Sequence, residues 1–356
     1  MSTMLYKYVD GSLIDESGKV IYFSNESFVS RICEGDDCFL CGSKKEEKKF
    51  NDEHVIPKWL LSKHDLFKVE ITLPNESKIR YDKYTLPCCE ECNSYLGQNI
   101  ETEIQSITGK GIESVNQYIV KNGPWKIFLW LCLIFLKTHL KDSLLRMHLD
   151  RRKGDGNIGD IYNWGFLHHI HCMVRAIREN SSIESQCCGS LFVLQAKVTD
   201  HYDSYDYRDI YEANTILLRT GDVAFLAVLD DSCSANNFFY NHFQRISGPL
   251  SPIQLREVLS HITLLNLKLK NRPRYFTKVN PKNGDVTIKA ELPEEWELED
   301  HTREELGSIL WSNVSQMIES MEDPNLTEEN VTQGLYHFLF NEKDEFIKNS
   351  MDFYKK

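Results

Sequence analysis

Apolar residues along the chain recur with two different spacings, one read as strand and the other as helix. LYKYV and VIYFS, at 5–9 and 20–24, read as short strands around the polar stretch Asp10–Lys19. Residues 112–150 read as helix, broken at Gly123-Pro124. WGFLHHIHCMVRAIR, from 164 to 178, reads as another. The pattern then changes to strand composition in SLFVLQAKV (190–198) and NTILLRTGDVAFLAVLD (214–230), the second folded back at Thr220-Gly221-Asp222. Ser251-Pro252 opens an amphipathic helix over 252–270. RPRYFTKV and DVTIKAEL flank Pro281-Lys282-Asn283-Gly284, a hairpin signal. From 302 the spacing predicts helix to the end. No fixed-period repeat or low-complexity linker interrupts this order.

The 356 residues are enough for two domains, and 41% hydrophobic with 26% charged residues is the balance of a packed globular chain. The longest uncharged apolar run, Ile127–Leu136, is half of the ~20 residues a membrane span needs, so it predicts a buried helix. The first residues, MSTMLYKYVDGS, lack an apolar signal core. The expectation is a cytoplasmic protein without a membrane partner.

The net charge of −12 is uneven. Residues 291–356 hold 17 acidic and 5 basic residues, whereas 111–290 hold 17 and 22. Overall acidity argues against non-specific coating of nucleic acid but leaves room for a local basic groove. Lys268, Lys270, Arg272, Arg274 and Lys278, interleaved with Tyr275 and Phe276, form one candidate track; Arg146, Arg151, Arg152 and Lys153 form another. The acidic tail is a solvated helical surface, or a cover that restrains the basic middle until displaced.

Eleven cysteines in a long, non-secreted chain point to metal or free thiols rather than disulfides. Cys38-Phe-Leu-Cys41 and Cys89-Glu-Glu-Cys92 are two C-x-x-C pairs, able to give four thiolates to one tetrahedral Zn²⁺. Cys33 and Cys88 are further thiols nearby; only Cys89 has the x-x spacing to Cys92. The 47 residues between the pairs must carry structure of their own. Among them stands Glu53-His54-Val55-Ile56-Pro57, and Asn93 follows the last cysteine. Adjacent strand residues face opposite ways, so one site using both Glu53 and His54 needs an irregular backbone or an oblique approach.

The order C-x-x-C, acidic-His-Val-Ile-Pro, C-x-x-C-Asn resembles the zinc-stapled HNH endonucleases of the ββα-metal type, over roughly residues 33–106. That resemblance implies an α+β protein: an N-terminal zinc-stabilised, treble-clef-like ββα-metal nuclease domain (1–110), then a mixed α/β recognition or regulatory domain with an acidic helical tail (111–356). It implies His54 as general base, Glu53 and Asn93 as ligands of a catalytic Mg²⁺ or Mn²⁺, and Cys38, Cys41, Cys89 and Cys92 as a structural zinc staple. The implied activity is hydrolysis of phosphodiester bonds, with double-stranded DNA first among substrates, and antiviral defence in bacteria is the favoured setting. A defence-system partner protein and a homo-oligomer are further expectations. Relatives often carry an Asn about five residues before the second pair; here the stretch is Tyr81-Asp82-Lys83-Tyr84-Thr85, so Asp82 or a backbone carbonyl must orient His54. Lys58 is a candidate phosphate contact, and Glu101 reads as structural or as backing for the cation site. The rival readings are a non-catalytic zinc module that binds nucleic acid or protein, and a nuclease subunit active only with its partner.

Three weaker patterns read as structure. His168, His169 and His171 read as core or surface histidines, Asp155, Asn157 and Asp160 as a turn, and Cys187-Cys188 as inert thiols.

Overall fold

The computed structural model describes residues 7–179, 181–199, 203–280, 282–318, 321 and 323–348. Leu5, Tyr6, Pro281 and the tail beyond residue 348 lie outside them. The protein is mixed α+β. Its chain packs as two compact units. The first takes residues 1–106, 125–187 and 275–290; the second takes 107–124, 188–274 and 291–356. The first unit thus runs well past residue 110.

Unit 1 opens with an antiparallel meander of β1 (Lys7–Val9), β2 (Ser12–Ile14) and β3 (Val20–Tyr22). β2 lies inside the stretch read as polar. Asp10 and Gly11 both take positive φ, 49° and 75°, and reverse the chain within two residues. A short helix, α1 (Asn25–Phe28), follows, capped by Ser24. β4 (Phe50–His54) pairs antiparallel with β7 (Thr85–Cys89), and α3 (Glu90–Leu96) leaves directly from β7. The insert between the strands holds α2 (Lys58–Lys63) and the hairpin β5 (Glu70–Thr72) and β6 (Lys78–Arg80). A single π turn, Gly97–Glu101, joins α3 to α4 (Thr102–Thr108).

After α5 (Ile112–Asn122) and the break at Gly123-Pro124 comes α6 (Trp125–Asp142). Ile127, Phe128, Trp130, Leu131, Leu133, Ile134, Phe135 and Leu136 are fully buried, so α6 is apolar all round and forms the centre of unit 1. No single helix among the described residues is long and apolar enough to cross a membrane. α7 (His168–Ala176) packs on α6. β8 (Ser182–Ile183) closes a small sheet with the hairpin of β13 (Arg274–Val279) and β14 (Val286–Glu291).

Unit 2 is built on the antiparallel sheet β10-β11-β12-β9, from β9 (Ser190–Gln195), β10 (Tyr205–Ile210), β11 (Thr215–Thr220) and β12 (Val223–Val228). All of β11 and β12 is buried, which is why their composition lacks polar alternation. α8 (Ser234–Gln244) and α9 (Pro252–Leu267) pack against this sheet. Ser251 and Gln254 form a capping box at the start of α9. α10 (Arg303–Ile318) and α11 (Glu328–Thr332) follow. The described residues after Thr332 contain no helix, against the expectation of helix to the end. They run as an irregular strap that folds back on itself through the Phe340–Phe346 bridge; its Phe338 and Leu339 are buried, and Gly334 (φ 66°) turns the chain into it.

Candidate functional site

The first C-x-x-C pair sits on a tight knuckle. Gly42 N donates to Cys38 O (2.7 Å) and Cys38 N to Ser43 O (2.9 Å). Gly42 has φ 73°, and a Cβ there would stand 2.5 Å from the Phe23 ring. Both reasons require glycine. The second pair lies where β7 passes into α3. The Sγ atoms of Cys38, Cys41, Cys89 and Cys92 come within 4.8 Å of one another, and all four residues are buried. Cys41 and Cys89 Sγ are 3.7 Å apart. Zn–S bonds of ~2.3 Å place tetrahedral sulfurs about 3.8 Å apart, so the cluster is compatible with structural zinc. Without a cation the crowded thiols share negative charge poorly. Hydrogen bonding from Cys41 first, then Cys88, Cys89 and Cys92, drives Cys38 far below the usual thiol range, while the same contacts drive Cys92 far above it. A dication lets all four ionise.

α7 supports this knuckle with a polar row that sequence reading did not assign. His171 Nε2 donates to Phe39 O (2.9 Å), and Arg175 donates to Leu40 O, Ile21 O and Val20 O. One helical turn on, Arg178 donates to Cys92 Sγ and pairs with Glu91. His168 Nε2 is spent on Phe23 O. His168 and His171 are thus occupied by backbone carbonyls, and Asn157 with Asp160 forms a capping box at a turn.

The other end of the β4–β7 hairpin carries Glu53 and His54. Their register with Leu86 and Thr85 is regular, so they face opposite sides of the ribbon and no irregular backbone joins them; one site using both requires the oblique approach. Glu53 points inward and is 7% exposed. Its Oε1 meets Lys137 Nζ at 2.6 Å, and the same Nζ donates to His54 O at 2.8 Å. Lys137, on α6, is fully buried. Glu101 joins the group, its Oε1 3.9 Å from Lys137 Nζ. Burial raises the Glu101 carboxyl to about 7. His54 is half-buried; desolvation, then Lys58, hold its imidazole below the ordinary value, with Glu53 and Asp52 opposing. Asn93 lies on α3 and donates through Nδ2 to Asn51 Oδ1 at 2.8 Å, tying α3 to β4. Asp82 pairs with Arg80, and Thr85 is the residue opposite His54.

Lys137 was invisible to the motif reading because it ends an apolar run. A lysine set directly after ten uncharged apolar residues was the available signal: such a residue, if buried, needs a partner.

The basic row 268–274 is already paired. Lys268 meets Glu305 (2.5 Å), Lys270 meets Glu297 (2.9 Å), Arg272 meets Asp230 (2.9 Å), and Arg274 meets Glu291. Leu269 and Leu298 form an antiparallel bridge between the same two segments.

Compared with known protein families, with curated proteins and with solved structures, the chain matches none of them.

Proposed function

We propose that unit 1 is a metal-dependent endonuclease of the HNH type that hydrolyses phosphodiester bonds, with double-stranded DNA as its first substrate. The observation that carries this reading is the β4–β7–α3 succession, with the tetracysteine cluster where β7 enters α3 and Glu53-His54 at the hairpin's far end. His54, held neutral by its partly desolvated position, takes the proton from the attacking water. Glu53 Oε and Asn93 Oδ1 are hard oxygen donors that suit Mg²⁺ or Mn²⁺. When bound, the cation offsets charge developing on the phosphate and the leaving oxygen. The four cysteines keep the hairpin ends and α3 in register but leave no open position for water. A role as effector in bacterial antiviral defence, with a partner protein, rests on the resemblance alone.

The test is plasmid cleavage in Mg²⁺ or Mn²⁺ by the wild-type chain and by His54→Ala at equal zinc content. Loss of a base of this kind lowers the rate by about 10²–10⁴-fold. Equal cleavage by both would remove His54 from the chemistry.

A second reading has its own support. Glu53 is engaged by Lys137 and Asn93 by Asn51, as in a zinc module that binds nucleic acid or protein without cutting. Binding without cleavage, on duplex, single-stranded and RNA substrates, would favour it.

A further inference from the structure

We infer that Glu101 is a second carboxylate ligand of the cation site, and that Lys137 is the resident counter-ion a divalent cation displaces. This rests on the reading of Glu53 as a cation ligand.

The first observation is where the charges lie. A lysine inside an apolar helix is costly unless its ammonium finds compensation. Lys137 finds it in one place, at Glu53 Oε1, His54 O and Glu101 Oε1, at 2.6, 2.8 and 3.9 Å. Two carboxylates thus converge on a single positive charge from different elements, β4 and the segment after α3. A monocation balances one of them in ionised form; a dication can balance both.

The second observation is the turn that delivers Glu101. Asn93 and Glu101 stand about 12 Å apart along the axis, so it is Glu53, across Lys137 Nζ, that Glu101 joins. The π turn Gly97–Glu101 changes the facing of Glu101 rather than that length, and Thr102 Oγ1 bonds back to Gly97 O at 2.8 Å. Single π turns rotate the residues that follow them and recur at functional sites. Here the turn ends on Glu101 itself.

The third observation is an unmet acceptor. Glu101 Oε1 is buried and receives no hydrogen bond among the described residues. A buried, unbonded carboxylate oxygen is unfavourable and is rarely left so without a use. Hard cations take such oxygens, and Lys137 can release them because its long side chain swings while α6 stays fixed.

The test uses Mn²⁺ as the probe on the zinc-loaded full chain. Lysines are acylated with an amine-reactive anhydride and mapped by mass spectrometry, with and without Mn²⁺. Labelling of Lys137 is expected to rise severalfold with Mn²⁺ while that of Lys141 stays constant. By electron paramagnetic resonance titration, Lys137→Met is expected to bind Mn²⁺ roughly tenfold more tightly, or better, than wild type. Adding Glu101→Gln to that variant is expected to abolish the gain. Unchanged Lys137 labelling at saturating Mn²⁺ overturns the inference, and that arm decides the matter if Lys137→Met does not fold. Equal affinity of the single and double variants overturns it too. Neither readout is cleavage. Displacement of Lys137 in a chain whose His54→Ala variant cuts like wild type would remove the nuclease reading and keep the cation site. The reverse pattern would remove this inference alone.

Discussion

Cys88 Sγ lies 3.8 Å from Cys38 Sγ, nearly the 3.7 Å that separates Cys41 from Cys89. A fifth thiol therefore stands at the edge of the tetrad, one residue before a ligand. Spacing assigns Cys89, and the mutual distances of the four sulfurs agree. Cys88→Ser is expected to retain one zinc per chain, and Cys89→Ser to lose it. Zinc content and melting read this out. Structural zinc contributes about 10 kcal/mol or more to small zinc modules, so unit 1 of Cys89→Ser should unfold. The opposite pattern would put Cys88 in the ligand set.

The acidic segment from 291 lies antiparallel to the basic row and takes three of its four charges through Glu291, Glu297 and Glu305. If that row tracks phosphates, the triple variant E291Q/E297Q/E305Q frees three cations. Its affinity for duplex DNA should rise, and its log–log salt slope should steepen by up to ~3. An unchanged slope would assign the row to structure.

Deleting 291–356 does not test the same idea. Leu310, Val314, Val331 and Leu339 are fully buried in the cores of unit 2. At ~1.5–3 kcal/mol for each side chain, their loss is about 6–12 kcal/mol, the scale of a domain's whole stability. The truncated chain is expected to lose the cooperative melting of unit 2. A folded truncation with its transition intact would contradict the core assignment.

Glu257 holds the C-terminal strap by accepting from Phe338 N, Leu339 N and His337 Nδ1. His261 and His242 lie on the same side, with Arg303, Arg245 and Asp344 contributing charge. Despite burial, hydrogen bonds from His261 and His337 carry Glu257 down to about 2, and Glu257 in turn raises His337. The raised histidine stabilises fully below the 6.5 of a free imidazole and loses that contribution as pH climbs through its folded value. The lowered glutamate stabilises above 4.5 and is lost toward about 2. Both act between 4.5 and 6.5. Glu257→Gln should cost about 1–3 kcal/mol, more at pH ~5.5 than at pH ~8, by denaturant titration. A difference that does not vary with pH would sever the link to His337.

What the sequence revealed is what neighbours in the chain decide. The hairpin at Thr220-Gly221-Asp222, the start at Ser251-Pro252, the break at Gly123-Pro124 and the two C-x-x-C pairs all follow from residues within a few positions. β2 escaped because a three-residue strand carries almost no periodicity, and its turn depends on positive φ at Asp10. The Lys137–Glu53 pair spans 84 positions, and Arg178 reaches Cys92 across 86. Such partners meet only after α6 and α7 have packed. The placement of Glu101 needs a π turn that ordinary helical counting does not contain.

Unit 1 draws on three separate stretches of chain, the last of them residues 275–290. On the ribosome, the cysteine knuckle and the Glu53-His54 strand emerge first, but α6 with Lys137 comes later, and the β13–β14 hairpin follows most of unit 2. A polypeptide released early by interrupted translation would hold the thiols and the histidine without the elements that complete their unit. Assembly of this unit is thereby tied to synthesis through residue 290 and everything that precedes it.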